Sequence, residues 1–438
     1  MGVGLYLRGR CTAKELPAPK ALLERVEQWA RKHCGLAPHD YHSETGKDRD
    51  GKPTLFLRFH PAGGPLEVTA LGKGQVSASA KTSPVGLGYH VYLCDLLKGL
   101  GKALHVTWEP DEETGGDTRF FFSGDRAALE REFLGWLKEC AQIAHDNVRA
   151  GGGWYLSMPI GHQYECNGKA VTPMGYRDAA WLAAVAKDPA TGTDVFPWWH
   201  EGRGPEYDLN RALHLMWTQV RWRKPITEDE ARLYELVLAL LHDAYTDAPN
   251  LDYPWREWRE MNRHFEGALV EEDTLPKELR DEIARRAAAV KKRPLIGYRR
   301  HPVRVDLTDA WWVTIPGSFA EAWEDGGRTW SAWDSVCSAW VTTYTFLKDD
   351  GTPLSAEETL AKSRDRDGER LDYRGEKVLG RAFLEFVEED EEDEGEASYW
   401  RLCGRSATAG HLAGFTICYT DPAYRQWAID TWHTIQHA

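Results

Sequence analysis

Apolar positions recur at helical spacing most clearly between Asp208 and Tyr245, which read as two striped helices joined by a turn at Pro225. In the second, Leu233, Leu236, Val237, Leu240, Leu241 and Ala244 make a broad face to bury. Thr227 and Glu230 supply the T-x-x-E of a capping box, with Ile226 and Ala231 at the staple positions. The signal specifies structure and says nothing about chemistry.

The same periodicities divide the rest of the chain. Residues 1–150 read as an α+β lobe. Helices are expected over Ala21–Cys34, Tyr89–Leu100 and Ala127–Ile143, and strands at Thr54–His60, Leu66–Ala70, Gln75–Lys81, His105–Trp108 and Arg119–Phe122. Gly151-Gly152-Gly153 is a plausible hinge. Beyond it a short strand at Trp154–Met158 and a hairpin about Asn167-Gly168 precede a mainly helical lobe, residues 151–292. Its helices are Arg177–Ala186, Leu209–Trp222, Glu228–Tyr245, Trp255–Phe265 and Lys277–Lys291, with prolines at their ends, where proline is tolerated. Residues 293–438 return to α+β, with strands at Trp311–Ile315, Val336–Phe346 and Leu412–Tyr419. Val378–Val387 and Tyr399–Cys403 form a hairpin, Ser355 and Glu358 cap a short helix, and Pro422–Ile435 is a closing helix. The fold class is therefore multidomain α+β: two α+β lobes with antiparallel sheets flanking a central helical lobe.

The order of the last third, an antiparallel sheet with one mid-chain and one terminal helix, resembles a PsbP-like α/β/α domain. The resemblance is architectural and brings no catalytic motif. It implies a fold used for docking to partners.

Composition narrows the class. Of the 438 residues 42% are hydrophobic and 28% charged, a globular balance, and the length calls for two or three cores. No apolar run approaches the roughly 18 residues of a membrane helix, and no secretory apolar region opens the chain, so the expectation is a cytoplasmic protein with no membrane partner. The net charge of −14 is concentrated: residues 388–396 (EEDEEDEGE) hold eight acids, leaving about −6 elsewhere. A net acidic chain argues against nucleic acid. The basic clusters Arg221–Lys224, Lys291–Arg293 and Arg299–Arg300 read as solvated helix ends.

Candidate chemistry is sparse. Gly86-Leu87-Gly88 lacks the third glycine of a dinucleotide loop and the G-K-[ST] of a P-loop, and the sixteen histidines show no H-E-x-x-H spacing, so no metal or other cofactor is expected. Cys94, one helical turn after His90, is surrounded by leucines and reads as core. Acids such as Asp334 and Glu321 carry no pattern that separates them from a solvated face, and no catalytic residue is singled out. What remains is a recognition surface. DVFPWWH (194–200) and YPWREWREM (253–261) place Trp198, Trp199, Trp255, Arg256, Trp258 and Arg259 together in proline-marked segments, and Trp and Arg are enriched at binding hot spots. The expectation is a non-enzymatic interaction or regulatory protein whose partner is another protein. Two other classes stay open: a hydrolase whose site is assembled between lobes from dispersed His, Asp and Glu, and a small-molecule sensor using the aromatic helical lobe.

Overall fold

The computed structural model describes residues 2–12, 18–36, 41–111, 119–158, 161–266, 275–290, 294–362, 366–388 and 398–438. It is a multidomain α+β fold. In the first module, strands β1 (Gly4–Cys11), β2 (His42–Lys47), β3 (Pro53–Arg58), β4 (Leu66–Gly72), β5 (Gln75–Lys81) and β6 (Val106–Pro110) form one antiparallel sheet in the order β2-β3-β4-β5-β1-β6. Helices α1 (Pro19–His33), α2 (Leu87–Leu104) and α4 (Arg126–Arg149) accompany it. α4 starts where the Asp125 carboxylate accepts from the Ala128 N–H. The strand expected over Arg119–Phe122 is instead a single helical turn, α3 (Phe120–Ser123): Arg119 and Gly124 both take left-handed backbone, and Phe120 and Phe121 are buried. The phenylalanines satisfied a strand pattern that the flanking backbone overrules. Gly86 and Gly88 serve packing, since a Cβ on Gly88 would lie 2.1 Å from the His200 carbonyl oxygen.

Short strands follow: β7 (Trp154–Tyr155), β8 (His162–Tyr164), β9 (Ala170–Thr172) and β10 (Gly175–Arg177). Asn167 and Gly168 do make a left-handed turn, at φ of 50° and 66°. The strands beside it do not pair with each other, however. β8 joins β11 (Val303–Asp306), while β9 pairs with β10 and runs parallel to β7. The expected hairpin is thus split between two sheets: β8 finds a distant edge at β11, and β9 a nearer one at β10.

The first core continues past Gly153: Leu182 and Val185 of α5 (Ala179–Lys187), then Phe196, Trp198 and Tyr207, belong to it. Helices α6 (Pro205–Thr218), α7 (Glu228–Asp247), α8 (Trp255–Phe265) and α9 (Lys277–Ala289) build a second core. In the C-terminal module, β12 (Trp311–Ile315) and the short β20 (Gln436–His437) extend the β8–β11 sheet. A seven-stranded antiparallel sheet runs β13-β14-β15-β19-β18-β17-β16. Its strands are Ala320–Glu324, Thr329–Trp333 and Cys337–Thr345 for β13 to β15, and Glu369–Arg374, Leu379–Val387, Tyr399–Thr408 and His411–Tyr419 for β16 to β19. The β17–β18 hairpin falls where the sequence places it. Helix α10 (Ala356–Ala361) opens with the Ser355–Glu358 capping box, and α11 (Arg425–His433) packs Trp432 on the sheet.

Helix α6 contributes to all three large cores. Tyr207 packs in the first, Leu209, Ala212, Leu215 and Met216 in the helical core, and Trp217 against the third, on Tyr298 and Tyr176. The most legible stretch of the sequence is therefore the axis on which the modules meet. Among the described residues no helix is long and apolar enough to cross a membrane.

Candidate functional site

At the C-terminal end of α6 the modules leave a cavity of about 540 Å³. α6 contributes His214 and Thr218, the following turn Arg221, and α7 Glu230. The C-terminal module contributes His162 from β8, Arg299 from the turn at Tyr298–Arg300, and Glu321 from β13. Pro61 of the first module closes one side. The volume lies within the roughly 300–1,000 Å³ of small-molecule sites.

Local backbone explains how these groups are delivered. Gly297 sits at φ 122°, a region closed to other residues, and a Cβ there would lie 2.0 Å from Trp222 Nε1. The turn that follows buries Arg299, while Arg300 lies over the Trp222 ring at 3.7 Å and pairs with Glu260 at 2.6 Å. Thr227 caps α7 by accepting from the Glu230 N–H at 3.2 Å. The Glu230 carboxylate reaches one residue beyond the expected capping-box partner, accepting from the Ile226 N–H at 2.9 Å. That places its oxygens 2.7 and 2.9 Å from the two terminal nitrogens of Arg223 and 3.4 Å from Arg221 Nε.

Glu321 is the second hub. It lies 2.8 Å from Arg299 Nη1, 3.0 Å from His162 Nε2 and 3.8 Å from Arg221 Nη2. Burial alone would raise its pKa. The His162 hydrogen bond, then the charge of Arg299, outweigh that and hold the carboxyl near about 2, so it is ionised throughout the ordinary range. Arg221 is pulled down to about 10, first by burial and next by repulsion from Arg299, against the attraction of Glu230 and Glu321. The three arginines also donate to consecutive carbonyls of one loop: Arg299 to Gly317, Arg223 to Ser318 and Arg221 to Phe319. The network therefore locks the α6–α7 turn to the C-terminal module, and it does so with three guanidinium groups against two carboxylates.

Behind this network His214 of the cavity wall leads into a buried aromatic cluster with His60 and Tyr89. His214 is buried, and neither of its ring nitrogens has a hydrogen-bond partner among the described residues. His60, whose ring centre is 5.8 Å away, leaves Nε2 in the same condition, as Tyr89 leaves its hydroxyl. Burial, then the charge of Arg211, lowers His214 to about 3. Burial, then His214, lowers His60 well below the usual histidine value. Both are neutral, and the ring nitrogens of His214 stay buried and unpartnered behind the cavity wall.

The residues expected to recognise a partner are not gathered in one patch. Trp198 is buried in the first core against Tyr92 and Tyr207, and the half-buried Trp199 stacks on Phe196. Trp255 and Trp258 are buried in the helical core, stacked with ring centres 5.6 Å apart. Arg256 lies beside Glu257 and is half-buried; Arg259 is exposed. Proline ends the preceding chain at both segments, but the rings then turn inward. The basic clusters correct in the other direction. Arg221, Arg223, Arg299 and Arg300 are buried or half-buried in ion pairs, not solvated, while Lys224 is exposed as expected; Lys291–Arg293 lie outside the described residues. Among the described residues no group of three or more His, Cys, Asp or Glu could hold a metal ion. The sequence pattern left Arg221, Arg299 and Glu321 indistinguishable from a solvated surface and gave no signal for His162. The one available hint was Arg221 and Arg223 alternating with Val220 and Trp222, charge where an apolar flank predicts burial.

No family model matches the chain, and no curated protein matches it. Among solved structures it is similar to a crystal structure from Bacteroides thetaiotaomicron VPI-5482, at 11% identity and a TM-score of 0.23. The match covers 30% of this chain and 45% of that one, and a likeness so weak carries no argument.

Proposed function

We propose that the chain acts by binding rather than by catalysis, as a regulatory partner protein. Its recognition site is the junction cavity, which takes a small molecule bearing an anionic oxygen group, a carboxylate or a phosphate. One observation carries this reading: Arg221 and Arg299 repel each other across Glu321, and with Arg223 the buried network sets three guanidinium groups against Glu230 and Glu321, the remaining acid of the lining, Asp229, being exposed and paired with Arg232. Burying unmatched charge is costly, and an anion on those guanidinium groups would relieve it. His214 supplies a neutral polar contact deeper in the wall. Glu321, held ionised by its partners, is not available as a general acid near neutrality.

Isothermal titration with citrate and with phosphate, each against chloride at matched ionic strength, tests the reading. One-to-one binding of either is expected. Gln219 lines the cavity and is half-buried, so Gln219→Glu adds a negative charge with little change of shape. It should weaken binding about tenfold, the equivalent of roughly 1.4 kcal/mol. No binding of either anion, or binding unchanged in the variant, would remove the cavity from the account.

A further inference from the structure

A carboxylate or phosphate on Arg221 and Arg299 fills one corner of a cavity of about 540 Å³, and the rest of the wall differs in character. The cavity follows an edge. β13 is the outermost strand of the seven-stranded sheet, and its consecutive residues Ala320, Glu321 and Ala322 all line the cavity. Successive side chains of a strand point to opposite faces, so the cavity passes round the sheet edge. Glu321 stands opposite Ala332, on the face that meets Arg221 and Arg299. Ala320 stands on the other face, directly opposite Trp333 of β14.

Trp333 is the anomaly of that second face. Trp330, on the same strand, is fully buried in the C-terminal core. Trp333 is half-buried, belongs to none of the hydrophobic clusters, and packs on no other ring among the described residues. A tryptophan carries a large apolar surface, and covering it is worth correspondingly much. Leu233 of α7 and Pro61 of the first module line the same cavity and are likewise half-buried. The cavity thus has an apolar side beside its charged one, the usual composition of a small-molecule site. The charged side limits what the oxygen group can carry. Glu230 lies 3.4 Å and Glu321 3.8 Å from Arg221, and Glu321 lies 2.8 Å from Arg299. An incoming group shares those guanidinium groups with two carboxylates already in place, and both repel a second negative charge on it. That favours a carboxylate over a phosphate dianion.

We infer that the ligand of the junction cavity is a monocarboxylic acid with an apolar ring, its carboxylate on Arg221 and Arg299 and its ring carried round the strand edge onto Trp333 and Leu233. The inference rests on the anion reading of the cavity and adds the body to which the anion is attached.

Titration calorimetry of the full chain with acetate, phenylacetate and phenyl phosphate, at matched ionic strength, tests it. Phenylacetate should bind at least about tenfold more tightly than acetate, through the apolar surface its ring covers, and more tightly than phenyl phosphate. Trp333→Thr should bring the affinities for phenylacetate and acetate together while the melting temperature holds, since the ring lies outside every core. If that variant fails to fold, Leu233→Thr, on the same apolar side, decides by the same ratio. Equal affinity for acetate and phenylacetate, or a preference that survives the substitution, overturns the inference and leaves the anion reading standing on citrate and phosphate. Tighter binding of phenyl phosphate also overturns it and assigns the cavity to a phosphate. If none of the three binds, and citrate and phosphate fail as well, the anion reading itself falls and this inference falls with it.

Discussion

Replacing Glu321 by glutamine keeps the shape of the side chain and removes the charge that Arg299, His162 and Arg221 share. The carboxyl moves from an ordinary 4.5 to about 2 on folding. At roughly 1.4 kcal/mol per pKa unit that shift contributes on the order of 3 kcal/mol at neutral pH. Breaking a buried ion pair from one side typically costs about 3–5 kcal/mol, which agrees. The sign follows from the depressed value: the contribution is present above pH 4.5, the unfolded value, and is lost as pH falls toward 2. Because several cores unfold in a chain this long, a single melting midpoint is a poor measure. Hydrogen exchange read by mass spectrometry on peptides spanning Gln219–Glu230 and Arg299–Ala322 isolates the network. Glu321→Gln should raise exchange in both at pH 7 by a factor equivalent to about 3 kcal/mol, on the linkage estimate above. It should leave the outer strands of the first sheet unchanged. The difference in protection between variant and parent in these peptides should be equal at pH 7 and 5 and shrink below pH 4.5. A difference below about 1 kcal/mol at pH 7, the range of an exposed pair, would refute the reasoning, as would one that grows toward acid.

Three further outcomes follow from the same physical picture. His60, His90 and His214 are buried neutral, with His90 at about 4 and His214 at about 3, so each opposes folding once pH drops below 6.5. At about 1.4 kcal/mol per pH unit apiece, the first module should lose near-ultraviolet circular dichroism close to pH 5, and His90→Asn should reduce the proton uptake on unfolding by one. Trp258→Ala, at a fully buried position stacked on Trp255, should cost about 3–5 kcal/mol of stability in the helical core, measured by urea unfolding. Gly297→Ala, at φ 122° and against Trp222, should cost at least about 1–3 kcal/mol from backbone strain alone and weaken citrate and phosphate binding in titration calorimetry, since the same turn carries Arg299.

How much of this could be read in advance depended on whether a signal was local. α7 was legible because its apolar positions repeat at helical spacing, and the strand at Cys337–Thr345 because it is a β-branched and aromatic run. The Ser355–Glu358 box was legible because both halves sit three residues apart. Strands β8 and β11, of three and four residues, are too short to show a period, and they pair across more than 130 positions of sequence. The candidate site was hidden for the same reason. Its hubs draw on positions 162, 221, 230, 299 and 321, so no spacing exists to recognise. Glu230 was identified for a cap, and that identification was half of its role. Its carboxylate was free to hold Arg223 and Arg221 because it reached past the cap to the Ile226 N–H. The tryptophans at 198, 255 and 258 illustrate the converse: composition marks them as anchors, and only packing tells whether they anchor a partner or a core.

The claim on which the functional reading rests is that an anion belongs between Arg221 and Arg299, and it can be seen directly. Crystals soaked in selenate, with anomalous data collected at the selenium edge, place an oxyanion without prior assumption of the ligand. The account predicts an anomalous peak in the junction cavity, within hydrogen-bond distance of both guanidinium groups and lost in Gln219→Glu. Selenate bound elsewhere on the molecule, with the cavity holding water alone, would contradict it.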